Sequence, residues 1–132
     1  MITISIIQKS QCQVNKDAEI EEIVLKSLSK LGETKDLEVE IIFVGKNEIK
    51  ELNKKYREID KATDVLSFPQ TLFKSNQVNI LGTIVISPEI AEERDEPINE
   101  LIKHGILHLC GYDHESDVEK WDRAAEKINC NF

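Results

Sequence analysis

The sequence predicts an α+β domain in which a small mixed β-sheet is covered by helices, with a metal site at the end of one helix. Three observations carry that reading. The 132 residues, 40% of them apolar, match the length of one domain and are enough to bury a core without staples. Strand-type and helix-type hydrophobic periods follow one another in uneven order, not as strict β-α repeats. All three histidines of the chain fall within eleven residues, His104 to His114.

The elements follow from local pattern. Ile2, Ile4 and Ile6 alternate with Thr3 and Ser5, the period of a half-buried strand. Asp17 is placed to cap a helix with Ile20, Ile23, Val24, Leu28 and Leu31 on one face, and Gly32 sits where a left-handed terminator belongs. Leu37 to Val44 reads as a second strand. Asn47 is expected to open a helix with Ile49, Leu52 and Tyr56 on one face and a dense set of long charged side chains. Val65 to Phe68 is a short apolar segment stopped by Pro69, and 70–79, polar and without period, reads as a mobile loop. Ile80 to Ile86 is the next strand. Ser87-Pro88 has the order of an N-cap and first-turn proline for a helix to about Arg94, and Pro97 restarts it. Leu101, Ile102, Ile106, Leu107 and Leu109 have helical spacing up to Gly111. Ser116 is expected to cap a last helix with Val118, Trp121 and Ala125 inward.

Charge excludes some function classes. With 17 basic and 25 acidic residues the net charge is -8, which argues against a general electrostatic DNA binder or a membrane-surface protein. No window approaches the roughly 20 apolar residues of a membrane span, and the first ten residues lack a basic leader, so a cytoplasmic protein is expected. Cys12, Cys110 and Cys130 are an odd count without paired spacing and read as reduced thiols. The charge is uneven: Lys46 to Lys61 holds six basic residues against four acidic, a local +2, whereas Ser87 to Phe132 carries -7. On pattern alone the basic stretch is a solvated helix face.

The histidines carry the chemistry. His104 and His108 are four residues apart on the expected helix, so they project from one face with Cβ atoms about 6 Å apart, a spacing at which two imidazoles share a metal. Gly111 releases the chain from the helix, so that His114 can return as a third ligand. Three imidazoles leave a coordination position open, which is the pattern of catalytic and not of structural zinc. A lone histidine is by default a core or surface residue, but HxxxHxxGxxH is not a lone histidine. Cys110 points to another helix face and reads as a buried thiol. Metzincin proteases share the spacing but place a glutamate after the first histidine as general base, where this chain has Gly105. Asp113 and Glu115 are loose substitutes, so peptide hydrolysis is demoted. A phosphodiester, whose anionic transition state is served by a metal and a guanidinium, fits better.

His104 to His114 resembles the HGxLHLxGYDH signature of the YbeY endoribonucleases, bacterial ribosomal RNA maturation factors. Leu52-Asn53 with Tyr56-Arg57, Thr63 to Pro69, and Leu81-Gly82 with Ile84 to Ser87 resemble other blocks of that family in the same order. The resemblance implies a single metal-dependent domain over 1–132 that cleaves single-stranded RNA in ribosomal RNA processing and ribosome quality control. It implies one zinc ion on His104, His108 and His114 and the ribosomal small subunit as a partner. It also implies that Arg57 serves activity and RNA contact, which gives Lys54 and Lys55 a reason to touch phosphate. Thr83 stands where the family usually has an acidic residue, and Lys103 where an apolar one precedes the first histidine.

Two other readings are kept beside the endoribonuclease: a metalloprotease, and a zinc-stabilised ribosome-binding adaptor without catalysis. The residues do not choose between water and the RNA 2′-hydroxyl as nucleophile, nor among zinc, nickel and copper.

Overall fold

The computed structural model describes residues 2–12, 16–33, 35–69 and 80–130. Nine elements are described: β1 (Ile2–Gln8), α1 (Asp17–Lys30), β2 (Leu37–Phe43), α2 (Lys46–Arg57), β3 (Val65–Phe68), β4 (Ile80–Ile86), α3 (Pro88–Glu93), α4 (Ile98–Leu109) and α5 (Val118–Ile128). The strands form one mixed sheet in the order β1-β2-β4-β3. β1, β2 and β4 run parallel, with Ile4 opposite Val39 and Ile41 opposite Ile84, while β3 returns antiparallel with Leu66 opposite Val85. The central β2 and β4 are buried on both sides, apolar except for Glu38 and Glu40 of β2 and Thr83 of β4, and the edge strand β1 keeps the alternation read from its isoleucines.

One face of the sheet presents Val39, Ile41, Phe43, Ile84 and Ile86 to Ile20, Val24 and Leu28 of α1 and to Leu101, Ile102 and Ile106 of α4. The other face packs Ile42, Val85, Leu66 and Phe68 on Ile49 of α2. The far side of α4 holds α5, through Leu107 against Trp121, Ala124, Ala125 and Ile128. At about 1.5–3 kcal/mol for each fully buried aliphatic side chain, α4 is the most firmly seated helix, and it is the one that carries the histidines. The close seating depends on Gly105, where a Cβ would lie 2.9 Å from the Ile84 side chain.

Several expected caps and faces differ. Lys16, not Asp17, is the N-cap of α1, and Asp17 joins Glu19 in the first turn, where acidic charge favours the helix dipole. α2 is capped by Gly45 and starts before Asn47. Asp117, not Ser116, caps α5: its carboxylate accepts from the Lys120 N–H at 3.1 Å, satisfying a first-turn donor. Ser87 holds the N-cap position of α3 without a side-chain cap bond. Tyr56 is 44% exposed, because its ring meets Phe68 edge-on at the rim of the sheet instead of entering the core. Val118 is 56% exposed, since it opens α5 one turn before Trp121 meets α4. The stretch 70–79 lies outside the described residues. Among those described, no helix is long and apolar enough to cross a membrane.

Candidate metal centre

The last turns of α4 put His104 and His108 one above the other, and the helix ends one residue beyond at Leu109. Gly111 then takes a left-handed φ of 92°, which strains any residue with a Cβ, and Tyr112 donates its N–H back to the Leu107 carbonyl. The chain therefore reverses. Asp113 fastens the returning turn, accepting from the Glu115 N–H at 2.9 Å through its carboxylate and from the Asp117 N–H at 3.0 Å through its carbonyl. His114 thus comes back onto the other two, and one ring nitrogen from each histidine lies within 4.8 Å of the others.

The donor set fits a metal ion. His104 Nε2 and His108 Nε2 are 3.1 Å apart, near the ~3.3 Å that separates two nitrogens on a tetrahedral zinc with bonds of about 2.0–2.1 Å. Burial, together with the neighbouring His108 and His114, lowers the His104 pKa to about 4, against a weaker opposite pull from Asp64. His108 is also lowered, by burial first and then by His114, with Arg57 adding to the effect and Asp113 and Glu115 opposing it. Both rings are therefore neutral near pH 7 and offer lone pairs, the form in which imidazole binds zinc, copper or nickel. Cys110 is not part of this cluster. Burial, with Glu33 nearby, pushes its thiol up to about 12, and it packs on the sheet-side core.

Trp121 was legible only as an inward residue of α5. Its indole lies 5.1 Å from the His104 ring, 5.0 Å from His108 and 5.0 Å from His114, centroid to centroid, and is 3% exposed.

The imidazoles open on the other side into a cleft of about 590 Å³ between α2, β3, α4 and the returning turn. Arg57, the last residue of α2, lines it, and its guanidinium donates to the Ser67 carbonyl at 3.0 Å and stands 5.9 Å from the Phe68 ring. Buried Asn53 supports that corner by donating to the Lys61 carbonyl at 2.9 Å, and Glu58 ends the helix with a left-handed φ of 60°. Lys54 and Lys55 are exposed on α2 and do not line the cleft. Lys61 and Arg94 do, although neither stands out in the sequence as a site residue. Arg94 pairs with Asp64 at 3.5 Å, and the same carboxylate accepts from the Val65 N–H at 2.8 Å. No local pattern identifies Arg94, which is brought to the cleft from the end of α3.

Three departures from pattern find partners. Gly105 faces Ile84, so a glutamate there would point into the sheet and not at the histidines. Thr83 is fully buried, away from the cleft, and donates its hydroxyl to Glu40 at 2.7 Å across the register pair Glu40–Thr83, so a carboxylate is present at that level of the sheet but on β2. Lys103 donates to Glu100 at 2.9 Å and to the Asn129 carbonyl at 3.0 Å, tying α4 to the end of α5.

A family model described as Endoribonuclease YbeY matches residues 4–128. Relatives named Endoribonuclease YbeY include one from Aliarcobacter butzleri, 44% identical over 107 residues that cover 75% of this chain and 74% of the relative. Another, from Aquifex aeolicus, is 41% identical over 125 residues covering 89% and 81%. A third, from Sulfurihydrogenibium sp., is 34% identical over 147 residues covering 95% and 97%. The solution structure of a Thermotoga maritima protein is 32% identical, covers 97% of this chain and 89% of that one, and superposes with a TM-score of 0.50.

Proposed function

The chain belongs to the YbeY endoribonuclease family, and from that premise we propose that residues 1–132 form one zinc-dependent domain that cleaves single-stranded RNA during ribosomal RNA maturation and ribosome quality control in the cytoplasm. The observation that carries the reading is the convergence of three histidine nitrogens within 4.8 Å at the wall of a cleft that also holds Arg57.

His104, His108 and His114 would hold the ion. A zinc ion so held supplies Lewis acidity for a phosphoryl oxygen and lowers the pKa of water toward neutrality. The remaining work falls to the chain. Arg57 takes a scissile phosphate oxygen with its fork of N–H donors and stabilises charge developing on phosphorus, and its bond to the Ser67 carbonyl holds the guanidinium over the cleft. Lys61 and Arg94 add positive charge along the same walls. Lys54 and Lys55, outside the cleft, touch flanking phosphates. The cleft volume is that of a small-ligand pocket, room for a local stretch of one strand.

A net charge of -8 disfavours tight binding of free RNA, so docking on the ribosomal small subunit supplies the local concentration. The test is a chelator-stripped protein given labelled single-stranded RNA before and after zinc is restored, with the product ends mapped. Cleavage returning with zinc supports the reading, a 5′-phosphate assigning attack to water and a 2′,3′-cyclic phosphate assigning it to the sugar hydroxyl. Cleavage indifferent to zinc would overturn it.

A further inference from the structure

The four rings His104, His108, His114 and Trp121 are all mutual neighbours. The imidazole centroids are 4.7, 5.6 and 5.5 Å apart, and the indole is 5.0–5.1 Å from each. The four centroids therefore form a nearly regular tetrahedron with the indole at its apex. Trp121 covers one face of the imidazole triangle. It is 3% exposed and is not among the residues that line the cleft, whereas all three histidines are.

We propose that Trp121 is a positioning residue of the metal centre: its indole closes the back of the imidazole triangle, limits the ring rotamers and leaves the cleft side as the side on which the ion exchanges ligands. This rests on the proposed metal site. Two physical effects act together. An indole edge-on to His104 and His114, at 66° and 84°, sits in a favourable aromatic geometry and resists ring rotation. Its bulk covers the back of the rings, so that solvent and further ligands reach them from the cleft side. Within the α5 cluster it is the indole that meets the three rings, so the effect belongs to Trp121 and not to the packing of α5 as a whole. Groups that orient metal ligands from behind are typically worth about 10–100-fold in metal affinity.

The test compares wild type, Trp121→Ala, Trp121→Phe and Ile128→Ala in zinc competition with a chromophoric chelator. Ile128 is the control, being buried in the same cluster without an aromatic contact to the histidines. Trp121→Ala should weaken zinc about 10–100-fold, Trp121→Phe should recover most of that loss, and Ile128→Ala should lose stability but keep its zinc affinity. Trp121→Leu replaces the alanine variant if that variant fails to fold. Trp121 is the only tryptophan of the chain, so wild-type emission should also change up to one equivalent of zinc and no further. Zinc bound equally by wild type and Trp121→Ala, or an equal loss in Ile128→Ala, would overturn the inference alone. A wild-type chain that binds no zinc would overturn the metal reading and this inference with it.

Discussion

His104 and His108 hold their Nε2 atoms 3.1 Å apart, a distance at which one neutral imidazole donates its single ring proton to the other. A cation held there would take both Nε2 lone pairs, each ring then carrying its proton on Nδ1. The fold thus holds two neutral, partly buried imidazoles side by side, and that arrangement has consequences for its stability.

In acid the metal-free protein should weaken. The folded His104 has a pKa of about 4, and His108 is also below 6.5, while the unfolded chain protonates both near 6.5. The unfolded state thus binds more protons between about pH 4 and 6.5, and stability is full above that window and falls as pH drops through it. Urea unfolding in chelator across this range should show the decline, and His104→Gln should flatten it. A level profile from pH 7 to 4 would contradict the assignment of neutral rings.

Gly105→Ala should destabilise the chain although helix propensity alone favours alanine by about 1 kcal/mol. The new methyl would sit 2.9–3.0 Å from three carbons of Ile84, which is fully buried between β2 and α4. Overpacking of that kind costs about 1–3 kcal/mol, so a net loss of roughly 1 kcal/mol is expected in urea unfolding. A gain in stability would mean that α4 can lift off the sheet, and the histidines with it.

Arg57→Ala should lower the rate of RNA cleavage by about 100-fold or more, the size of losing one donor aimed at developing charge. The side chain is exposed and donates a hydrogen bond to the Ser67 carbonyl, so the change in stability should stay within about 1 kcal/mol. Arg57→Lys should rescue only part of the rate, because an ammonium lacks the planar fork. Full activity in Arg57→Ala would remove the guanidinium from the chemistry.

Lys54→Ala and Lys55→Ala are expected to act differently from Arg57. Both residues lie on the exposed face of α2, outside the cleft. Each should weaken RNA binding about equally for all sequences and reduce the salt slope by about one, with the cleavage rate at saturating RNA unchanged. An unchanged salt slope would leave them as solvated surface residues.

What the sequence revealed and what it hid divide along physical lines. The histidine cluster was legible because it is local: four residues of helix, a glycine turn and three more residues bring all three side chains together, and no distant contact is needed to place them. The strands were legible because β1 and the start of β2 alternate apolar and polar residues, whereas the end of β2 and most of β4 are short apolar runs of a sheet covered on both faces. Caps were misread at Asp17, Asn47 and Ser116, since several polar residues stand near each helix start and only the backbone decides which one occupies the N-cap. Tyr56 and Val118 fit the helical period but fall where their helices have no facing layer. Arg94 and Trp121 could not be placed in the site from spacing, because α3 and α5 bring them there through packing against the core. Thr83 shows the same limit: its carboxylate partner Glu40 lies on the neighbouring strand, 43 residues away in sequence and visible only in the register.

The central claim is that the three histidines make this chain a metal-dependent endoribonuclease. The most direct measurement incubates end-labelled single-stranded RNA with wild-type protein and with identically purified His108→Ala, each with and without chelator. Cleavage confined to the metal-replete wild type is the predicted result. Equal cleavage by both proteins, or cleavage that survives the chelator, would contradict the account.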